Sequence, residues 1–225
     1  MRKWIFIVIP TVVVLALIVG DQAAKGWAES QLAERAAAYY PPGSGSSASI
    51  HSFPFIGRLL VSGSVPAVDV NLDDVRVDPV LIRRLSIHVT GVKLNRSELF
   101  HGKVHLDRVS SGKIVATLDG PSLARAAGAD LRFSPGVVTV HQKISGVDVT
   151  AKGKVTVKGN AVTVTPTSVQ GLDVPPSRFA LNYRIPGIEI FPCQADVKII
   201  QDAVVLDCTV GDIPPALLQA VQSGG

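Results

Sequence analysis

His101, His105 and Asp107 are spaced so that their side chains share one face of a β-strand, and imidazoles beside a carboxylate are the donors of a zinc site. On an extended strand the two histidines stand about 13 Å apart, too far to share one ion without a bend. Solvent-facing histidines are therefore expected. Asp69, Asp73, Asp74 and Asp78 are dense enough for acid–base or calcium chemistry, but they follow the polar positions of the surrounding alternation, as a solvated strand does. Arg83-Arg84 are a candidate phosphate contact, with an ordinary surface pair as the commoner reading. No Gly-x-Ser-x-Gly, phosphate-binding loop, His-Glu-x-x-His or Cys-x-x-Cys arrangement occurs. The chain is expected to be no enzyme, with no catalytic residue, no metal and no cofactor.

The two cysteines, Cys193 and Cys208, flank a pair of apolar runs around Gln201-Asp202. Cys193 shares parity with Val197 and Ile199, and Cys208 with Val204, Leu206 and Val210. Both sulfurs then fall on the apolar face of neighbouring strands. In an oxidising compartment that permits a disulfide; two buried free thiols are the alternative.

Two of the seven phenylalanines sit at Phe53-Pro54-Phe55, followed by Ile56, Gly57, Leu59 and Leu60. Pro54 fixes a bend and removes a backbone donor, so this element is no ordinary central strand. It reads either as a hydrophobic hook that closes the core or as an apolar lip. In the second reading Phe53, Phe55, Ile56, Leu59 and Leu60 form the mouth of a lipid-binding groove or touch a membrane.

Other elements must position these residues. Residues 4–20 are uncharged and apolar behind Arg2-Lys3. A spanning helix needs about 20 apolar residues and a cleavable signal core about 7–15, and this run lies between. The basic pair favours a cytoplasmic start, so residues 21–225 are expected on the far side of the membrane. An uncleaved anchor is expected at residues 1–20, with cleavage after Gly26-Trp27-Ala28 as the alternative that yields a secreted product. Residues 21–40 lack proline and carry Ala28, Leu32, Ala36 and Tyr39 on one face, which predicts a helix, and Lys25 and Glu29 make an i,i+4 pair.

From about residue 48 the period becomes two, as in Val68, Val70, Leu72 and in Leu85, Ile87, Val89. The phase slips at Asp73-Asp74, at Gly91 and around 110–112, which suggests bulges. Pro121 and Gly128 bracket one interior helix, and residues 213–221 suggest a last short one. The chain has 225 residues and a formal charge of +4, and without Arg2 and Lys3 it is nearly balanced. No basic cluster carries aromatics, so nucleic acid is excluded as a partner. Such a sheet either covers its own apolar face or leaves a groove.

The order of these features resembles the LmeA-like family of envelope phospholipid-binding proteins, best known in actinobacteria. The resemblance runs from the Ala/Glu-rich helix through Phe53-Pro54-Phe55, Leu72-Asp73-Asp74-Val75, Ile87-His88-Val89-Thr90 and Val104-His105-Leu106-Asp107 to the helix at Pro121, and covers most of residues 20–215. It implies an α+β, mainly β fold: a long curved antiparallel sheet wrapped around the N-terminal helix, tubular-lipid-binding-like, with short extra helices. It implies a single extracytoplasmic lipid-binding domain over 21–225, phospholipid as ligand, and a role in envelope lipid or lipoglycan assembly at the periplasmic, outer face of the cytoplasmic membrane. Ala28, Ala36, Ala124 and Ala127 would leave space for an acyl chain. A ligand-free envelope scaffold, or an accessory factor presenting a lipid-linked substrate to a membrane glycosyltransferase, are the alternatives.

Overall fold

Helix α1 (Arg2–Ala38, 37 residues) absorbs both the apolar run and the predicted helix that follows it. Nothing between them breaks a helix, and Ala, Gln, Glu, Leu and Arg beyond residue 21 are all strong helix formers. The computed structural model describes residues 2–38, 45–95, 97–98, 106–144, 147–158, 161–170, 181–184 and 196–213, with α1 side chains described from Leu15 onward.

Among the described residues the alternating runs form eleven antiparallel strands. The first sheet contains β1 (Gly45–His51), β2 (Ser64–Val77), β3 (Val80–Leu94), β4 (Leu106–Asp119), β10 (Asp196–Ile200) and β11 (Ala203–Ile213). Its order is β1-β2-β3-β4-β11-β10. The second contains β5 (Asp130–Ser134), β6 (Val137–Ile144), β7 (Val147–Lys158), β8 (Ala161–Gln170) and β9 (Leu181–Arg184), paired in chain order. The mainly antiparallel α+β fold is thus the expected one, distributed over two sheets, neither closed on itself. The chain leaves the first sheet through α3 (Gly120–Ala127), builds the second, and returns so that β11 pairs with β4.

Side-chain parity follows the sequence pattern. Leu72, Leu85, Leu118 and Leu206 from the first sheet and Phe133, Val138, Val140 and Ala151 from the second belong to one buried apolar cluster. A second cluster, with Ile50, Phe55, Val65, Val92 and Val109, lies under α1 and the short helix after β1. The predicted hairpin at Gln201-Asp202 is present, with Ile200 opposite Ala203 and Asp202 in the left-handed region.

Two of the three expected phase slips are irregular. Asp74 and Gly91 both have positive φ, and the β3–β4 register shifts between Ile82 and Arg84 and between Lys93 and Leu94. Around 110–112 the pairing is regular, Ser111 opposite Thr90 and Gly112 opposite Val89, so no bulge exists there. The apparent slip comes from small residues in an unbroken strand.

One helix was not expected. Helix α2 (Phe55–Ser62) follows Pro54 as its N-cap and ends at Gly63, whose left-handed backbone lets its N–H reach the Leu59 carbonyl at 3.0 Å. These Pro-start and Gly-stop signals are the ones that correctly marked α3, but the run at 54–63 contains Gly57, a poor helix former. The proposed helix at 213–221 lies outside the described residues, apart from Ile213, which ends β11.

Candidate functional site

Alanine on one face of α1 sets up a cavity. Ala24, Ala28 and Leu32 recur every four residues along the face that lines it, and the two alanines pack against the cluster of Ile50, Phe55, Val65 and Val92 with little side-chain volume of their own. The floor comes from Ile50 of β1, Val65 and Val68 of β2, and Val92 and Leu94 of β3, while Phe55, Ile56 and Leu59 of α2 line one end. The result is an open apolar groove of about 470 Å³, a volume typical of small-ligand pockets (about 300–1,000 Å³). Its polar lining side chains, Gln31 and Arg35, stand together on the C-terminal part of α1. The exposed Trp27 also contributes to the lining.

Two acids of α1 hold this arrangement. Asp21 is 5% exposed, and its two carboxylate oxygens accept the N–H groups of Phe55 at 2.8 Å and Ile56 at 2.7 Å. Pro54 has no side-chain acceptor, so α2 takes its N-terminal cap from another helix. Glu29 accepts the N–H of Ile50 at 2.6 Å, which satisfies a donor on the open edge of β1, and Lys25 stands 3.7 Å from Glu29 as its spacing predicts. A second apolar cleft of about 350 Å³ lies between Leu17 and Ile18 of α1 and Phe53, Pro54 and Ile56, with Asp21 at its wall. Ile56 borders both cavities.

Of the residues assigned to a groove mouth, Phe55, Ile56 and Leu59 line the groove, with Phe55 in the core beneath it rather than at a lip. Phe53 lines the second cleft, and Leu60 points outward and lines neither. Of the four alanines, Ala28 lines the groove. Ala36 packs against the main core instead, and Ala124 and Ala127 belong to α3, which packs on β3, β4, β5 and β11 away from the groove. Those three cannot make room for a chain there.

The charged candidates are engaged with one another. Arg83 donates through Nε (2.9 Å) and Nη2 (2.6 Å) to Asp119, which also caps α3 by accepting the N–H of Ser122. Arg84 pairs with Asp73 at 2.9 Å. Asp69 lies between His51 of β1, at 2.6 Å, and His88 of β3, a cluster that the sequence reading missed because its members are far apart in the chain. The hydrogen bond from His88, then that from His51 and the two imidazoles' charges, hold the Asp69 carboxyl below the usual carboxylate range, against an opposing contribution from partial burial.

His101 and His105 lie outside the described residues, and Asp107 is exposed. Among the described residues no group of three His, Cys, Asp or Glu side chains could hold a metal ion. Cys208 is buried and disulfide-bonded; Cys193 lies outside the described residues. Among the described residues no helix is long and apolar enough to cross a membrane, and most of the 4–20 run precedes Leu15, where α1 side chains begin to be described.

A family model described as LmeA-like phospholipid-binding matches residues 19–197. No curated protein and no solved structure matches.

Proposed function

This chain belongs to the LmeA-like phospholipid-binding family, and from that premise we propose that it buries phospholipid acyl chains in the groove between α1, α2 and strands β1–β3. The observation that carries the reading is the groove's polarity. Its lining is apolar from α2 along Ala24 and Ala28 to Leu32, and its polar side chains, Gln31 and Arg35, gather at one end. A chain of about 16 carbons, at about 0.8 kcal/mol per buried methylene, gains on the order of 10 kcal/mol there, so few polar contacts are required. The phosphate would lie beside Arg35 and the tails toward α2.

In this reading residues 4–20 hold the domain at the outer face of the cytoplasmic membrane, with α1 rising from the bilayer. Phospholipid bound with its head toward Arg35 keeps the orientation it has in the outer leaflet, so it enters without turning over. The protein acts by binding, not by catalysis, in support of envelope lipid and lipoglycan assembly.

Native mass spectrometry of the full chain, released from membranes in mild detergent, tests the groove. Bound phospholipid is expected in the wild type. Ala28→Phe, which sets a ring into the groove beside Leu59 and Val68, should lose it while the fold's thermal transition persists. Full lipid occupancy in that variant would place the ligand elsewhere. A stable wild type without lipid would favour the scaffold alternative.

A further inference from the structure

Helix α2 is apolar on two sides. Phe55 and Leu59 face inward, Phe55 being only 8% exposed, whereas Phe53, Ile56, Leu60 and Val61 face outward, Phe53 at 60% and Val61 at 76% exposure. Three of the eight residues of α2, with Phe53 directly before it, are too many to pass as a scatter of surface apolar residues, and some surface must cover them.

The position of α2 identifies that surface. Its first turn faces Leu17 and Ile18 across the second cleft, and Asp21 grips its N-terminal N–H groups. Helix α2 therefore starts level with the last apolar turn of α1, where Leu17 and Val19 are also exposed. Across that cleft Leu17 and Ile18 of α1 and Phe53 and Ile56 beside them make one apolar surface.

Length points the same way. Residues 4–20 cover about 25 Å as a helix, against a hydrocarbon core of about 30 Å. A run shorter than the core draws the interface toward whatever follows it, here Asp21 and the α2 docked on it. The flanking chemistry is interfacial as well: Trp27 is exposed above Asp21, and Arg58 is exposed on α2, where its cation suits phosphate headgroups.

We propose that the outer face of α2 is a membrane foot, embedded at the headgroup–acyl boundary of the same bilayer that α1 enters, which brings the α2 end of the groove onto the lipid. Asp21 is its positioning residue. The proposal rests on reading residues 4–20 as an anchor and on the groove as the lipid site.

The test uses the full chain with Val61→Cys carrying an environment-sensitive fluorophore, in vesicles of phosphatidylcholine and phosphatidylglycerol with a nitroxide high on the acyl chain. No described cysteine of the native chain is free. Ile200→Cys, exposed on the edge strand β10 at the opposite side of the first sheet from β1, is the control. Emission at position 61 should shift to the blue and be largely lost to the nitroxide, while position 200 keeps both its wavelength and its intensity. A chain that floats with the vesicles but whose label at 61 behaves like that at 200 overturns the proposal. A blue-shifted label at 61 that the nitroxide does not quench also overturns it, in favour of a protein on that face. A chain that does not float with vesicles overturns it through its anchor premise. Leu60→Cys repeats the measurement should labelled Val61→Cys fold poorly. Lipid content by mass spectrometry of the same samples reports on the groove separately, so a failed foot and an empty groove are distinguishable.

Discussion

Removing the Asp21 carboxylate should release α2 from the rest of the domain. In Asp21→Ala the N–H groups of Phe55 and Ile56 lose acceptors at 2.8 and 2.7 Å, at a site where the carboxylate itself is 5% exposed. An unsatisfied buried donor costs about 1–3 kcal/mol, and an N-cap replaced by alanine about 0.5–2 kcal/mol, two overlapping measures of one loss. A total of about 2–4 kcal/mol follows, because both donors are orphaned and Pro54 offers no substitute. Eight residues cannot sustain a helix in water by themselves, so the loss should appear first as local opening. At about 1.4 kcal/mol per tenfold, amide exchange over residues 55–62 should quicken by about 30- to 700-fold, with β3, β4 and β11 little changed. Asp21→Asn, which keeps one acceptor oxygen, should fall between. Hydrogen exchange read by mass spectrometry on the full chain in micelles measures all three proteins. If Asp21→Ala leaves exchange at 55–62 at the wild-type rate, the cap is not what holds α2, and the reasoning fails.

The remaining predictions concern other parts of the sheet. Because the Asp69 carboxyl is held below its ordinary value, its contribution to stability is full above about pH 4 and fades as pH falls through the lowered value. In urea titrations, Asp69→Asn should therefore be less stable than wild type near neutrality and converge with it in acid, by under about 1 kcal/mol for so exposed a site. Gly91→Ala should cost about 1–3 kcal/mol, since φ is +61 and an added Cβ would lie 2.3 Å from Ser110 Oγ; a second change, Ser110→Gly, should restore the steric part only, by thermal melts. Cys208→Ser should lower stability by about 3 kcal/mol, the loop-closure value for about 15 residues if Cys193 is the partner, and should make the melting temperature insensitive to reductant.

Much of the fold was legible because its signals are local. Alternation of Val68, Val70 and Leu72 with Asp69, Asn71 and Asp73 marks a two-faced strand whatever its partners are, and Pro121 with Gly128 brackets α3. Helix α2 was missed although Pro54 and Gly63 bracket it in the same way, because Gly57 interrupts its run, whereas α3, of the same eight residues, is built from the strong helix formers Leu123, Ala124, Arg125, Ala126 and Ala127. The groove was half legible: Ala28, Ile56 and Leu59 belong to it, but Ala36, Ala124 and Ala127 are equally small and lie elsewhere. A small side chain leaves a void only where the opposing surface stands away from it, and sequence does not give that distance.

The sequence by itself determined a mainly antiparallel sheet behind an apolar helix, and the motif order that identifies a phospholipid-binding family. Hydrophobic period and turn chemistry act over a few residues and can be read in one dimension. The tertiary structure alone decided what the acids do. Asp21, a lone acid directly behind an apolar run, caps a helix 34 residues further on; Glu29 reads as half of a helix ion pair, yet it also satisfies the edge of β1. Asp69, read as a solvated strand face, joins histidines from two neighbouring strands. Each of these pairings is fixed by where the backbone leaves a donor without a partner, and that depends on how the sheet, α1 and α2 pack together.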